Sequence, residues 1–164
     1  MATGVISRRQ IRTLVFQALY AAEISKNDYD QVFTHLLEET WQALLLQKPN
    51  KGFELSDSDF LKSLFYNAMN DRDLYDSWIT EKASNWEVTR IAILDRILMY
   101  MSLYEILHFH DVPLKVSMNE YLEIAKEFST PKSNQFINGI LDNIQLKLKA
   151  EGLIQKRGRG LREN

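Results

Sequence analysis

The stretch from Glu87 to about Phe109 constrains the fold most. Ile91, Ile93, Leu94, Ile97, Leu98, Met99, Met101, Leu103, Ile106 and Leu107 leave a helix almost no polar face. A helix apolar on all sides has to be enclosed by other elements. Its length would allow a membrane span, but Arg90, Asp95, Arg96 and Glu105 interrupt it. A buried central helix is the consistent reading.

The remaining segments supply helices to enclose it. Ser7 to about Ile24, with Ser7 as N-cap, carries a stripe of Ile11, Leu14, Val15, Ala18, Leu19 and Ala22 at helical spacing. Tyr29 to about Leu46 turns Val32, Phe33, Leu36, Leu37, Thr40, Trp41 and Leu44 inward. Gln47–Leu55 reads as a polar loop broken by Pro49 and Gly52. Ser56 and Asp59 form a capping pair ahead of Phe60, Leu61, Leu64, Phe65 and Ala68. After a break at Asn70-Asp71, Leu74–Ala83 carries Tyr75, Trp78 and Ile79. Further on, Met118, Tyr121, Leu122, Ala125 and Phe128 share one face. Thr130 then caps a last helix with Pro131 at its first position, where a missing N–H costs nothing. Ile137, Ile140, Leu141, Ile144 and Leu148 form the inner face of that helix. Gly139 in its middle is expected to admit another helix closely, since glycine there costs about 1 kcal/mol relative to Ala. The expectation is an all-α protein of about seven helices in two packed bundles. Residues 1–150 form one domain, and 151–164 a basic tail expected to be disordered.

Several function classes fall away on composition. There is no Cys, which excludes disulfides and thiolate chemistry and fits a reducing cytoplasm. No signal peptide or membrane segment is legible at the N-terminus. No phosphate loop, dinucleotide fingerprint, zinc-protease helix or nucleophile elbow occurs. The expectation is therefore a non-enzyme without cofactor. His108-Phe109-His110-Asp111 offers too few ligands for a metal, and histidine near a helix C-terminus is favoured by the helix dipole in any case. Asp95 and Glu105 on an apolar helix are read as salt-bridged to Arg90, Arg96 or Lys115 rather than as an acid–base pair.

Net charge is only −2, but its placement is uneven. Basic residues gather at the ends, in Arg8-Arg9…Arg12 and between Lys147 and Arg162, which can form one patch if the termini meet in space. Cations in the first turns of a helix oppose its dipole. Either carboxylates neutralise Arg8, Arg9 and Arg12, or an anion binds there, as phosphates do at helix N-termini. Amides at Asn119, Asn134, Gln135, Asn138 and Asn143 contribute little to packing.

Three stretches carry a resemblance. Val112-Pro113-Leu114-Lys115-Val116, Asn119-Glu120, Ala125-Lys126, Phe128 and Phe136-Ile137-Asn138-Gly139-Ile140-Leu141-Asp142 resemble the C-terminal signature of the NusB family of transcription antitermination factors. Leu94-Asp95-Arg96-Ile97-Leu98-Met99-Tyr100…Tyr104-Glu105 is similar to the family's central helix. Tyr100 stands where many members have Arg, and it could stack on a base instead. The run from Arg8 to Tyr20 resembles the family's RNA-contacting N-terminus. Together these cover most of the chain outside roughly residues 25–55.

The resemblance implies binding of single-stranded boxA-type RNA together with NusE, a small-subunit ribosomal protein, within the RNA polymerase antitermination complex of ribosomal RNA operons. On that reading Arg8, Arg9, Arg12 and Lys132 hold phosphates and Phe136 stacks on a base, with Phe136 alternatively a core residue beside the apolar stripe. Gln17, Asn134, Gln135 and Asn138 read base edges, and Tyr20 lies either on the same surface or in the core. Lys132 departs from the acidic residue common in the family. Tyr104, Glu105, Lys115, Asn119 and Glu120 are candidates for contacting NusE, with Tyr104 and Asn119 alternatively buried anchors. Two rivals stand beside this: a helical protein-binding scaffold or homodimer without an RNA role, and the NusB-like accessory domain of an RNA cytosine methyltransferase.

Overall fold

The computed structural model describes residues 7–46, 55–84 and 87–157, and within them it is all-α. The chain divides into two compact units, one up to Tyr66 and one from Asn67 onward. The expected loop at 47–54 and the last residues of the basic tail, 158–164, lie outside the described residues, as does the side chain of Leu44.

The first unit holds α1 (Arg8–Ser25), α2 (29–46) and α3 (Leu55–Asn67). Ser7 caps α1 through a capping box: its hydroxyl accepts from the Gln10 amide at 3.2 Å, and the Gln10 side chain accepts from the Ser7 amide at 2.8 Å. Ile11, Val15, Ala18, Leu19 and Ala22 are buried as expected, together with Phe16, while Leu14 is only half-buried.

Helix α2 is not regular. A π turn at Phe33–Glu38 separates the α-helical segments Tyr29–Val32 and Glu39–Leu46. Its wider i→i+5 bonding rotates Leu36 out to 46% exposure while Leu37 stays buried, so the expectation of an inward Leu36 fails. The aromatic rings of Tyr29 and Phe33 pack against Phe65 of α3, at 5.5 and 5.8 Å between centroids. Helix α3 starts at Leu55, so Ser56 lies inside it.

The second unit holds α4 (Arg72–Lys82), a 3₁₀ turn at Val88–Arg90, α5 (Ile93–His108), α6 (Leu114–Phe128) and α7 (Pro131–Ala150). The continuous helix expected from Glu87 is shorter, because Ile91 and Ala92 are extended and α5 begins only at Ile93. Val88, Thr89 and Ile91 are β-branched, which lowers helix propensity there. From Asp95 to Ile106 the helix is buried apart from Arg96, and it packs against α4, α6 and α7. The central position argued from its composition holds within this unit.

Its polar residues engage hydroxyls, a backbone carbonyl and, at Arg96 and Tyr100, the Asp76 carboxylate. Asp95 accepts from the Ser129 hydroxyl at 2.7 Å. Neither Arg90 nor Arg96 supplies its ion pair: Arg90 pairs with Glu87 and Arg96 with Asp76. Glu105, fully buried, accepts from Tyr121 at 2.6 Å and from Ser117 at 3.3 Å. Ser102 donates to the Ser117 carbonyl. Tyr100 is also a correction. Only 1% exposed, it donates to Asp76 and accepts from Arg96, so it offers no ring to a base. Burial raises its pKa first, and the bond to Asp76 raises it further.

In α7 the Thr130 hydroxyl accepts from the Ser133 amide at 3.1 Å, with Pro131 opening the helix. Ile137, Ile140, Leu141, Ile144 and Leu148 are all buried. Gly139 is exposed, and a Cβ there would meet nothing within 4 Å. Among the described residues, no helix makes the expected close approach at this position. Gly139→Ala should raise stability by about 1 kcal/mol, the helix-propensity difference, as an increased urea midpoint with an unchanged m-value.

Helix α7 ends in a Schellman motif. Gly152 has φ +70°, its amide donates to the Lys149 carbonyl, and the Leu153 amide donates to Leu148. Residues 153–157 turn back onto the corner between α5 and α6.

Candidate nucleic-acid interface

The three N-terminal arginines have different surroundings. Arg8 Nε donates to Asp57 of α3 at 3.0 Å, and its guanidinium lies 4.1 Å from the Phe60 ring centroid. Arg12 is 3% exposed and also faces that ring, at 5.2 Å. For Arg8, then, a local carboxylate supplies the neutralisation. Arg12 packs as part of the unit's interior, and its stem and guanidinium are not offered to solvent. Arg9 is exposed. Gln17 and Tyr20 are exposed on the same side of α1, two and three turns along, and Tyr20 is 36% accessible rather than core. Arg9, Gln17 and Tyr20 thus form one outward ridge.

In the second unit the start of α7, the start of α5 and the 3₁₀ turn enclose a cleft of about 420 Å³. Its walls include Arg90, Ile91, Asp95, Lys132, Ser133 and Phe136. Half-buried Phe136 contributes a ring, while exposed Arg90 and Lys132 contribute cations. Among the candidates from the sequence, Lys132 and Phe136 meet here. Gln135 and Asn138 are exposed on α7, whereas the Asn134 side chain donates to the Leu122 carbonyl at 2.7 Å and ties α7 to α6. Arg90 was weighed only as an ion-pair partner. Its place in the cleft depends on the extended Ile91–Ala92 step, which the hydropathy pattern had read as helix.

The five partner-binding candidates also separate. Lys115 and Asn119 are exposed on α6 with Glu120 half-buried beside them, and Val116 adds an apolar contact at 39% exposure. Glu105 is fully enclosed and cannot meet a partner directly. Tyr104 is 8% exposed and packs on His108 and Phe109. Among the described residues no cluster of three His, Asp or Glu stands ready for a metal ion, and no helix is long and apolar enough to cross a membrane.

The model of the NusB family matches residues 9–146, the span holding both surfaces. The chain belongs to the NusB family. The protein from Chloroherpeton thalassium called transcription antitermination protein NusB is 40% identical over 157 residues, 96% of this chain and 70% of that protein. The NusB of Salinibacter ruber is 40% identical over 94% of this chain and 91% of its own length. The NusB of Bacillus pumilus is 33% identical over 89% of this chain and all of its own. Among solved structures, T. maritima NusB superposes with a TM-score of 0.71 at 28% identity, covering 88% of this chain and 97% of that one. A chain in the crystal structure of a plectonemic RNA supercoil shares the fold, with a TM-score of 0.71 and 18% identity over 87% of this chain and 96% of that one.

Proposed function

We propose that this protein is a transcription antitermination factor that binds single-stranded boxA-type RNA together with NusE in the cytoplasm, acting by binding rather than catalysis. The RNA polymerase antitermination complex of ribosomal RNA operons is its proposed setting. The observation that carries the RNA half is the cleft lined by Phe136 together with Arg90 and Lys132. A stacking ring between cations is what an unpaired nucleotide requires. Arg9 contributes a phosphate contact, Gln17 and Tyr20 extend that surface, and Gln135 and Asn138 supply amides for base edges. Arg8 and Arg12 support the ridge from beneath, and Asn134 positions the α7 start. Lys115, Asn119 and Glu120 form the proposed NusE face, with Tyr104 and Glu105 fixing the helix behind it.

The test is binding of a labelled boxA-like RNA across a salt series, with and without NusE. Affinity should rise with NusE and fall with salt, with a slope of about −0.7 per phosphate contact, and Arg9→Ala should remove about one contact from that slope. A protein that ignores RNA in every condition while still binding NusE would be the helical scaffold instead.

A further inference from the structure

The C-terminal segment makes more contacts than a frayed end requires. After the left-handed turn at Gly152, the Gln155 carbonyl meets His110 Nδ1 and the Arg157 amide donates to the His110 carbonyl. His110 is therefore engaged on both its ring and its backbone. Between these two contacts, Lys156 Nζ donates to the Glu105 carbonyl at 3.2 Å and to the Phe109 carbonyl at 2.9 Å. These carbonyls lie in the last turn of α5 and just beyond it, where the helix dipole favours a cation; each also accepts a backbone amide, from Phe109 and Val112, so Lys156 is the second donor to both. The segment thus joins the end of α7 to the end of α5 and to the loop that starts α6.

We propose that residues 153–157 are a latch, closed by Lys156 on the end of α5, that holds the corner at 109–113 and so presents the α6 face to its protein partner. The partner half rests on the reading of Lys115, Asn119 and Glu120 given above, and a mixed-charge protein surface fits their chemistry. The contact that closes the latch is also under tension. Burial pushes the Lys156 pKa down to about 8, against the opposing pull of Glu105 and Asp111. The groups that face it are the carboxylates of Glu105 from α5 and Asp111 from the corner, with the His110 ring and Arg157 nearby. A docked lysine that sheds its proton near pH 8 binds fewer protons than a released one from there up to its ordinary value. Closure therefore strengthens as pH rises above 8 and is weakest, with no further change from Lys156, below it.

Amide hydrogen exchange on the full chain tests the latch. Lys156→Met, and separately a chain ending at Gly152, should exchange at least about tenfold faster at residues 109–117, from the loss of the hydrogen bonds that Lys156 donates. Exchange in α1 should stay as in the unaltered protein, and both variants should bind NusE several-fold more weakly. In the unaltered protein, protection of 109–117 relative to α1 should rise between pH 8 and 9.5, and this rise should vanish in Lys156→Met. Unchanged exchange at 109–117 in both variants overturns the latch. Faster exchange with unaltered NusE affinity overturns its role in presenting α6. If the unaltered chain does not bind NusE, the partner reading fails, and the exchange data still decide the latch.

Discussion

Replacing Glu105 by Ala should lower the free energy of unfolding by about 3–5 kcal/mol, measured by urea denaturation with an unchanged m-value. The side chain is wholly enclosed in α5 and accepts hydrogen bonds from Tyr121 and Ser117, both of α6. Truncation leaves two buried hydroxyls short of an acceptor, each worth about 1–3 kcal/mol, and opens a void at the closest helix pair of the unit. Glu105→Gln keeps an acceptor of the same length and should lose only about 1 kcal/mol. The two variants separate the charge of the side chain from the acceptor and volume it provides. Equal losses would mean that the carboxylate, rather than the acceptor it provides, holds the helices together.

The second large effect concerns Phe136. Phe136→Ala should weaken RNA binding by about 1–3 kcal/mol, the usual worth of one base stacked on an aromatic ring. That is roughly five- to 150-fold in affinity. Because the ring is half-buried in the cleft wall, some loss of stability is expected as well, and binding has to be measured where the variant is fully folded. Phe136→Leu controls for this. Leucine restores most of the buried apolar surface without a stacking face, so its stability should recover while its affinity stays low. If Phe136→Leu binds RNA as the unaltered protein does, the ring is a packing residue and the proposed stacking is wrong.

The sequence read well where one residue type answers one local demand. Ser7 and Thr130 were legible as caps because a hydroxyl just ahead of a helix satisfies free amides of its first turn. The inner face of α7 was legible because five aliphatic residues recur at helical spacing. The α5 boundary was not, since Ile91 is as apolar as its neighbours and remains buried after the chain has left the helix. Leu36 misled for a similar reason: a π turn shifts the register within a stretch whose hydropathy suits an ordinary helix.

Among the site residues, spacing alone grouped Arg8, Arg9 and Arg12, and only their neighbours in three dimensions told them apart. Asp57 and Phe60 are some fifty residues away in sequence, and they engage Arg8 and cover Arg12 while Arg9 is exposed. Tyr100 and Tyr20 divide in the same way, one bonded to Asp76 inside the unit and one on the surface. Periodicity, capping and three family motifs were enough, from the sequence by itself, to determine the helical class, the central helix and the family. The tertiary structure alone decided which polar side chains remain available to a ligand and where the C-terminal segment docks. Local sequence sets backbone preference and the face a residue occupies, but exposure and charge compensation depend on partners that are distant in the chain.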